Sequence, residues 1–147
     1  DWVGAEIISP PTAGAGEAAA MKIDRDSLRF FNFEGLEIRD YTAGMEVSSS
    51  VAEITVPAGA SHRPAWSRRS DKYYFMLEGR LSFTVGAKAP DLTVGDCCIV
   101  PKGERFSYNN PTAELARVLL VHTPSFDLAA EVLEDDPGAS PGSPSRS

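Results

Sequence analysis

The sequence predicts an all-β fold, an antiparallel β-barrel of short strands, and three observations carry that expectation. The chain has 147 residues, the length of one domain with a real core. Short β-rich segments recur at regular spacing, as in barrels and sandwiches. Turn-forming residues punctuate the gaps between them.

In chain order the expected strands cover residues 36–41, 47–56, 72–77, 80–85, 97–100, 104–109 and 115–122. Glu78 and Gly79 join two of them, and Gly86 and Pro90 mark the next connection, the pattern of hairpins rather than parallel crossovers. Residues 128–133 are expected to add one short helical turn. The globular domain is placed at residues 21–134. Before it, residues 1–20 hold Pro10, Pro11, Gly14, Gly16 and three consecutive alanines, which favours a flexible arm unless Trp2, Ile7 and Ile8 dock. After it, residues 135–147 form a Pro, Gly and Ser-rich tail expected to be disordered, because it offers too little apolar area to offset the entropy of ordering.

Charge excludes some classes of function. A formal net charge of -7 opposes sequence-independent nucleic-acid binding, which needs Lys and Arg against phosphates. No apolar run approaches the roughly 20 residues that span a bilayer, so no membrane partner is expected. Cys97 and Cys98 are adjacent and would point to opposite faces of a strand, where a mutual disulfide would be strained. Reduced thiols and a cytoplasmic location are the expectation.

Two blocks carry a family resemblance. The first is GASHRPAWSRRSDKYYFMLEG, Gly59 to Gly79, and the second is GDCCIVPKGERFSYNN, Gly95 to Asn110. Their Gly, Pro and Asn spacing resembles the two motifs of small single-domain cupins, and the strand followed by Thr-Pro after the second block is similar to the end of such a domain. The resemblance implies a conserved β-barrel of the jelly-roll, or double-stranded β-helix, type. It also implies four metal-ligand positions, three His and one Glu. Counted back from Gly79, the Glu position is Lys72; counted forward from Gly59, two His positions are Ala65 and Ser67; in the second block the His position is Phe106. If the loop is one residue shorter, the two positions become Trp66 and Arg68. Both registers leave the set without imidazoles, so no metal is expected.

Strand alternation puts Lys72, Tyr74 and Met76 on one face and Tyr73, Phe75 and Leu77 on the other. The resemblance assigns the first set to the lumen. A Lys inside an apolar barrel is either functional or paired, with Asp71 or Glu104 as candidate partners. The candidate catalytic residues are therefore Lys72, Tyr74 and Arg68. Trp66, Met76, Phe106, Tyr108 and His62 are the candidate substrate-binding residues, although the same aromatics could simply fill the lumen. His122, at the end of an apolar run, reads as an ordinary strand residue. Arg63, Arg68, Arg69, Lys72 and Arg80 concentrate positive charge near the first block, a possible receptor for a carboxylate or phosphate.

The leading functional expectation is a metal-independent enzyme that isomerises, cyclises or eliminates on a small organic molecule, with no cofactor, in a setting of specialised metabolism that the resemblance implies. The alternative is a small-molecule-binding or sensory cupin without turnover. A lumen with no cavity of roughly 300 Å³ or more would instead favour a packed structural barrel. The run Leu28 to Phe33 carries enough aromatic surface to make a homodimer the expected assembly.

Overall fold

The structure is a computed structural model and describes residues 20–135. The expected arm and tail lie outside the described residues except for Ala20 and Asp135. The described residues form eleven strands: β1 (Phe31–Phe33), β2 (Leu36–Asp40), β3 (Ser50–Val56), β4 (Ser61–Ser67), β5 (Asp71–Glu78), β6 (Leu81–Val85), β7 (Asp91–Leu92), β8 (Cys97–Val100), β9 (Phe106–Asn109), β10 (Ala116–Thr123) and β11 (Glu131–Leu133). They form a six-stranded sheet ordered β1-β2-β3-β10-β5-β8 and a five-stranded sheet ordered β11-β4-β9-β6-β7. Every strand pairing is antiparallel. The fold is thus all-β, as expected, and takes the form of two sheets rather than one closed hydrogen-bonded cylinder. Among the described residues no helix is long and apolar enough to cross a membrane.

Alternation builds the core between the sheets. On β5, Lys72, Tyr74 and Met76 are buried while Phe75 on the opposite face is exposed. On β10, Ala116, Val118, Leu120 and His122 are buried and the intervening residues are only partly covered. These faces meet Ala65, Phe83, Phe106 and Tyr108 from the five-stranded sheet. Cys98 joins the core and Cys97 is exposed, and both thiols are free.

Four strands escape the sequence pattern: β1, β4, β7 and β11. In β4 the reason is Pro64, which cannot donate to a ladder. The structure accommodates it in a bulge. His62 pairs with Tyr108 and Ala65 with Phe106, so Arg63 and Pro64 together face the single residue Ser107. The expected turn at 128–133 is half realised, as a 3-10 turn at Leu128–Ala130 that runs directly into β11.

The connection at Glu78 and Gly79 corrects the expected hairpin. Strands β5 and β6 belong to different sheets, so the pair turns a corner between layers, whereas Gly86 and Pro90 do lie in the true hairpin between β6 and β7. Gly79 has φ +77, and a Cβ there would lie 2.8 Å from the Leu115 carbonyl oxygen and 2.9 Å from the Ala116 Cα. Gly79→Ala is accordingly expected to cost about 3 kcal/mol in urea unfolding, with left-handed strain and backbone overlap adding together. Gly35 shares the positive φ, yet nothing lies within 4 Å of its would-be Cβ. Gly35→Ala is expected to cost only about 1 kcal/mol. Equal losses at the two sites would contradict a steric role for Gly79.

Asn110, the last residue of the second motif, shows what that motif is for. It is buried; its amide nitrogen donates to the carbonyls of Val56 and Glu114, and its Oδ1 accepts from the backbone and hydroxyl of Thr112. The side chain ties the β9 to β10 loop to the end of β3 and thereby holds β10, which carries His122.

Candidate functional site

A cavity of about 260 Å³ opens between the sheets. That falls just short of the roughly 300 Å³ set for a ligand-sized lumen, so volume alone does not separate a binding barrel from a packed one, and the space fits only a molecule smaller than a drug. Its walls are mostly apolar, with Ile54, Ala65, Tyr74 and Leu120 in the interior and Phe31, Phe126, Leu128 and Leu133, all substantially exposed, at the mouth.

Into this cavity the two sheets project a polar trio. Lys72 on β5 and His122 on β10 are directly cross-strand, and the Lys72 Nζ lies 2.8 Å from the His122 Nε2. From the other sheet comes Glu131 on β11, whose Oε1 accepts from the Lys72 Nζ at 2.7 Å. Lys72 is 4% exposed, His122 5%, and the Glu131 side chain 10%. With Lys72 charged, its ammonium donates to both neighbours, which places the His122 ring proton on Nδ1. The Nζ also sits 5.5 Å from the centre of the Phe106 ring, within reach of a cation-π contact.

Burial governs the protonation states. Desolvation lowers the Lys72 pKa, and the Glu131 charge and hydrogen bond oppose that shift. His122 is pushed down to about 3, by desolvation first and by the Lys72 charge second, so its ring is neutral at physiological pH. His62 is also lowered by desolvation, and its Nδ1 lies 2.7 Å from the Arg63 carbonyl. A carbonyl only accepts, so Nδ1 carries the proton and Nε2 keeps its lone pair. Burial raises Tyr74 well above the usual phenol value, which keeps it a neutral hydroxyl.

One atom of the trio is left over. The Glu131 Oε2 is buried and has no hydrogen-bond partner among the described residues. An orphaned buried acceptor costs about 1–3 kcal/mol, and this one belongs to a cavity wall. A ligand hydroxyl or N–H would satisfy it.

The expected site residues divide into three groups. Lys72, Tyr74 and His62 line the cavity. Met76, Phe106 and Tyr108 are buried in the core that supports it, and none of the three is among its lining side chains. Trp66 and Arg68 require correction as cavity residues: the register is the one with Ala65 and Ser67 inward, so Trp66 faces out with the Arg68 guanidinium over its ring at 5.5 Å. The bulge at Arg63 and Pro64 shifts the phase so that both His62 and Ala65 reach the lumen. Lys72 pairs with neither expected acid. Asp71 instead accepts from the Lys102 backbone. The basic cluster is also dispersed: Arg63 binds Glu34, Arg69 reaches Ser125, and Arg80 faces Asp91. Among the described residues no arginine lines the cavity.

Sequence reasoning missed Glu131 and discounted His122. The second had a signal, since it shares the inward phase of Val118 and Leu120. The first had none, because β11 meets β4 only through long-range pairing.

At the four positions where the family resemblance expects metal ligands stand Ala65, Ser67, Lys72 and Phe106. These side chains do not fit a transition metal, and among the described residues no group of three or more His, Cys, Asp or Glu side chains is arranged to hold one. Elemental analysis of the purified protein is expected to find far less than one transition metal per chain, and chelation is expected to leave its melting temperature unchanged. One tightly held metal per chain within the barrel would contradict this.

Residues 52–122 match the family described as the cupin domain. The fold aligns with Streptomyces Pac13 in complex with uridine, at 20% identity and a TM-score of 0.69, covering 80% of this chain and 93% of that one. Another Pac13 structure, at 21% identity and a TM-score of 0.68 over 78% of this chain and 91% of that one, describes that protein as a nucleoside dehydratase. KdgF from Halomonas aligns at 14% identity and a TM-score of 0.66, over 74% of this chain and 97% of that one. These identities establish a shared fold. No curated protein matches the sequence.

Proposed function

We propose that this protein, which matches the cupin domain over residues 52–122 and shares the cupin fold, is a metal-independent enzyme that removes a proton from a small organic molecule and completes a non-redox elimination or isomerisation. The observation that carries the reading is the buried contact of Lys72 with Glu131 at a cavity wall, with one carboxylate oxygen unpartnered. A carboxylate poised beside an ammonium supplies a base and an acid within one hydrogen bond of each other.

In the elimination, the Glu131 Oε2 takes a proton from a carbon next to an electron-withdrawing group. The released electron pair forms the carbon–carbon double bond, and the β C–O bond breaks as Lys72 gives a proton to the departing hydroxyl, which leaves as water. Glu131 is then protonated and Lys72 neutral. Rotation of the protonated carboxyl brings its O–H to the Lys72 amine, and transfer across the 2.7 Å contact then restores both groups without solvent. In an isomerisation the same base and acid act at two carbons of one substrate, and nothing departs. The neutral His122 ring accepts from Lys72 and positions it. The apolar walls exclude water, which strengthens both charges at the reacting atoms.

A dehydration is the preferred form, supported by the fold shared with a nucleoside dehydratase. The test is untargeted mass spectrometry of small-molecule extracts incubated with the protein and with Glu131→Gln. The expected result is a species that loses one water, or exchanges hydrogen with deuterated solvent, only with the native protein. A retained ligand that is never transformed would favour the binding or sensory alternative.

A further inference from the structure

We propose that the ligand of this cavity is an uncharged amphiphile, with a hydroxyl or N–H donor bound at Glu131 and an apolar body, flat or branched, lying at the mouth. The inference rests on the same site as the proposed function and adds the class of molecule that it selects.

Among the described residues, charge on the walls comes from two carboxylates, Asp40 and Glu131, against the single ammonium of Lys72. A carboxylate or phosphate would enter a site already rich in negative charge. The one cation there is engaged twice, at 2.7 Å by Glu131 and at 2.8 Å by His122. The arginines of the first motif, the natural receptors for an anion, lie elsewhere. A cationic ligand is drawn by the two carboxylates, but at the inner end it would lose hydration and stand beside the Lys72 ammonium, which offsets that attraction. A neutral donor meets neither obstacle and satisfies the unpartnered Glu131 Oε2.

The mouth supplies the second half of the argument. Phe31, Phe126, Leu128 and Leu133 belong to the cavity lining, yet Phe31 remains 54% exposed and Leu128 73%. An apolar body on these side chains would remove their surface from water and be held by the hydrophobic effect. Donor and apolar body must therefore sit at opposite ends of one small molecule.

Three indole compounds that share a ring and a two-carbon arm test this by calorimetry on the full chain: tryptophol with a hydroxyl, indole-3-acetate with a carboxylate, and tryptamine with an ammonium. Tryptophol is expected to bind at least ten times more tightly than indole-3-acetate and at least three times more tightly than tryptamine. Glu131→Leu should reduce the preference for tryptophol over indole-3-acetate to under threefold. Leu128→Asp, at a position that is already largely exposed, should weaken tryptophol at least fivefold. Equal or tighter binding of either ion, or no binding of tryptophol at millimolar concentration, overturns the proposal. Selective binding of tryptophol by a protein that transforms no extract component would leave this inference standing while removing the catalytic reading.

Discussion

Lys72→Met is expected to lower turnover by about 10²-fold or more while the barrel still folds, because the variant keeps the length of the stem and removes the acid that protonates the leaving group. The loss should appear in kcat. Substrate affinity should change less, since the unpartnered oxygen that receives the ligand belongs to Glu131. Stability should fall as well, by about 3 kcal/mol, because truncating one member of a buried pair strands the other charge. Steady-state kinetics on the substrate found by extract screening, with urea unfolding on the same sample, separates the two effects. Native kcat in a folded Lys72→Met variant would make the ammonium a bystander.

Acid lability is the second large effect. His122 is held near a pKa of about 3 in the folded protein, and an unfolded histidine titrates near 6.5. Between those values the unfolded chain binds the extra proton, so stability present above pH 6.5 is lost as pH falls toward 3. From pH 7 to pH 5 the expected loss is about 2 kcal/mol from this ring. His62, lowered by the same desolvation, adds to it in the same direction. Urea unfolding of the native protein and of His122→Asn across this range checks the assignment. The variant should show a distinctly shallower pH dependence. An identical slope in both would mean that His122 is not the buried neutral ring described here.

The legible parts of this protein are those set by local period. Alternation on β5 puts Lys72, Tyr74 and Met76 inward, and the two Gly, Pro and Asn motifs mark turns that the structure uses as turns. The segment at residues 97–100 coincides with β8, and the other expected strands agree within a few residues at either end. What stayed hidden depends on register or on distance. Counting along the first motif cannot choose between Ala65 with Ser67 and Trp66 with Arg68, because the bulge at Arg63 and Pro64 changes the phase, and only pairing with β9 reveals it. Glu131 stands 59 residues from Lys72, on a strand whose sequence resembles the end of a helical turn. Charge density along the chain misleads for a related reason. The arginines of the first motif are neighbours in sequence, but their guanidinium groups turn outward to Glu34, Ser125 and Trp66.

The measurement that bears most directly on the central claim is the double variant Lys72→Met with Glu131→Leu, examined for both stability and turnover. Replacing a buried ion pair with apolar side chains of similar size is often neutral or stabilising, so the double variant should unfold within about 1 kcal/mol of the native protein, or later, and recover what Lys72→Met loses. If Lys72 and Glu131 are the acid and base of the reaction, this well-folded protein will nevertheless be inactive, with turnover at least as low as in either single variant. A double variant that is stable and still converts substrate at a rate near the native one would contradict the account, and would leave the pair as packing between the two sheets.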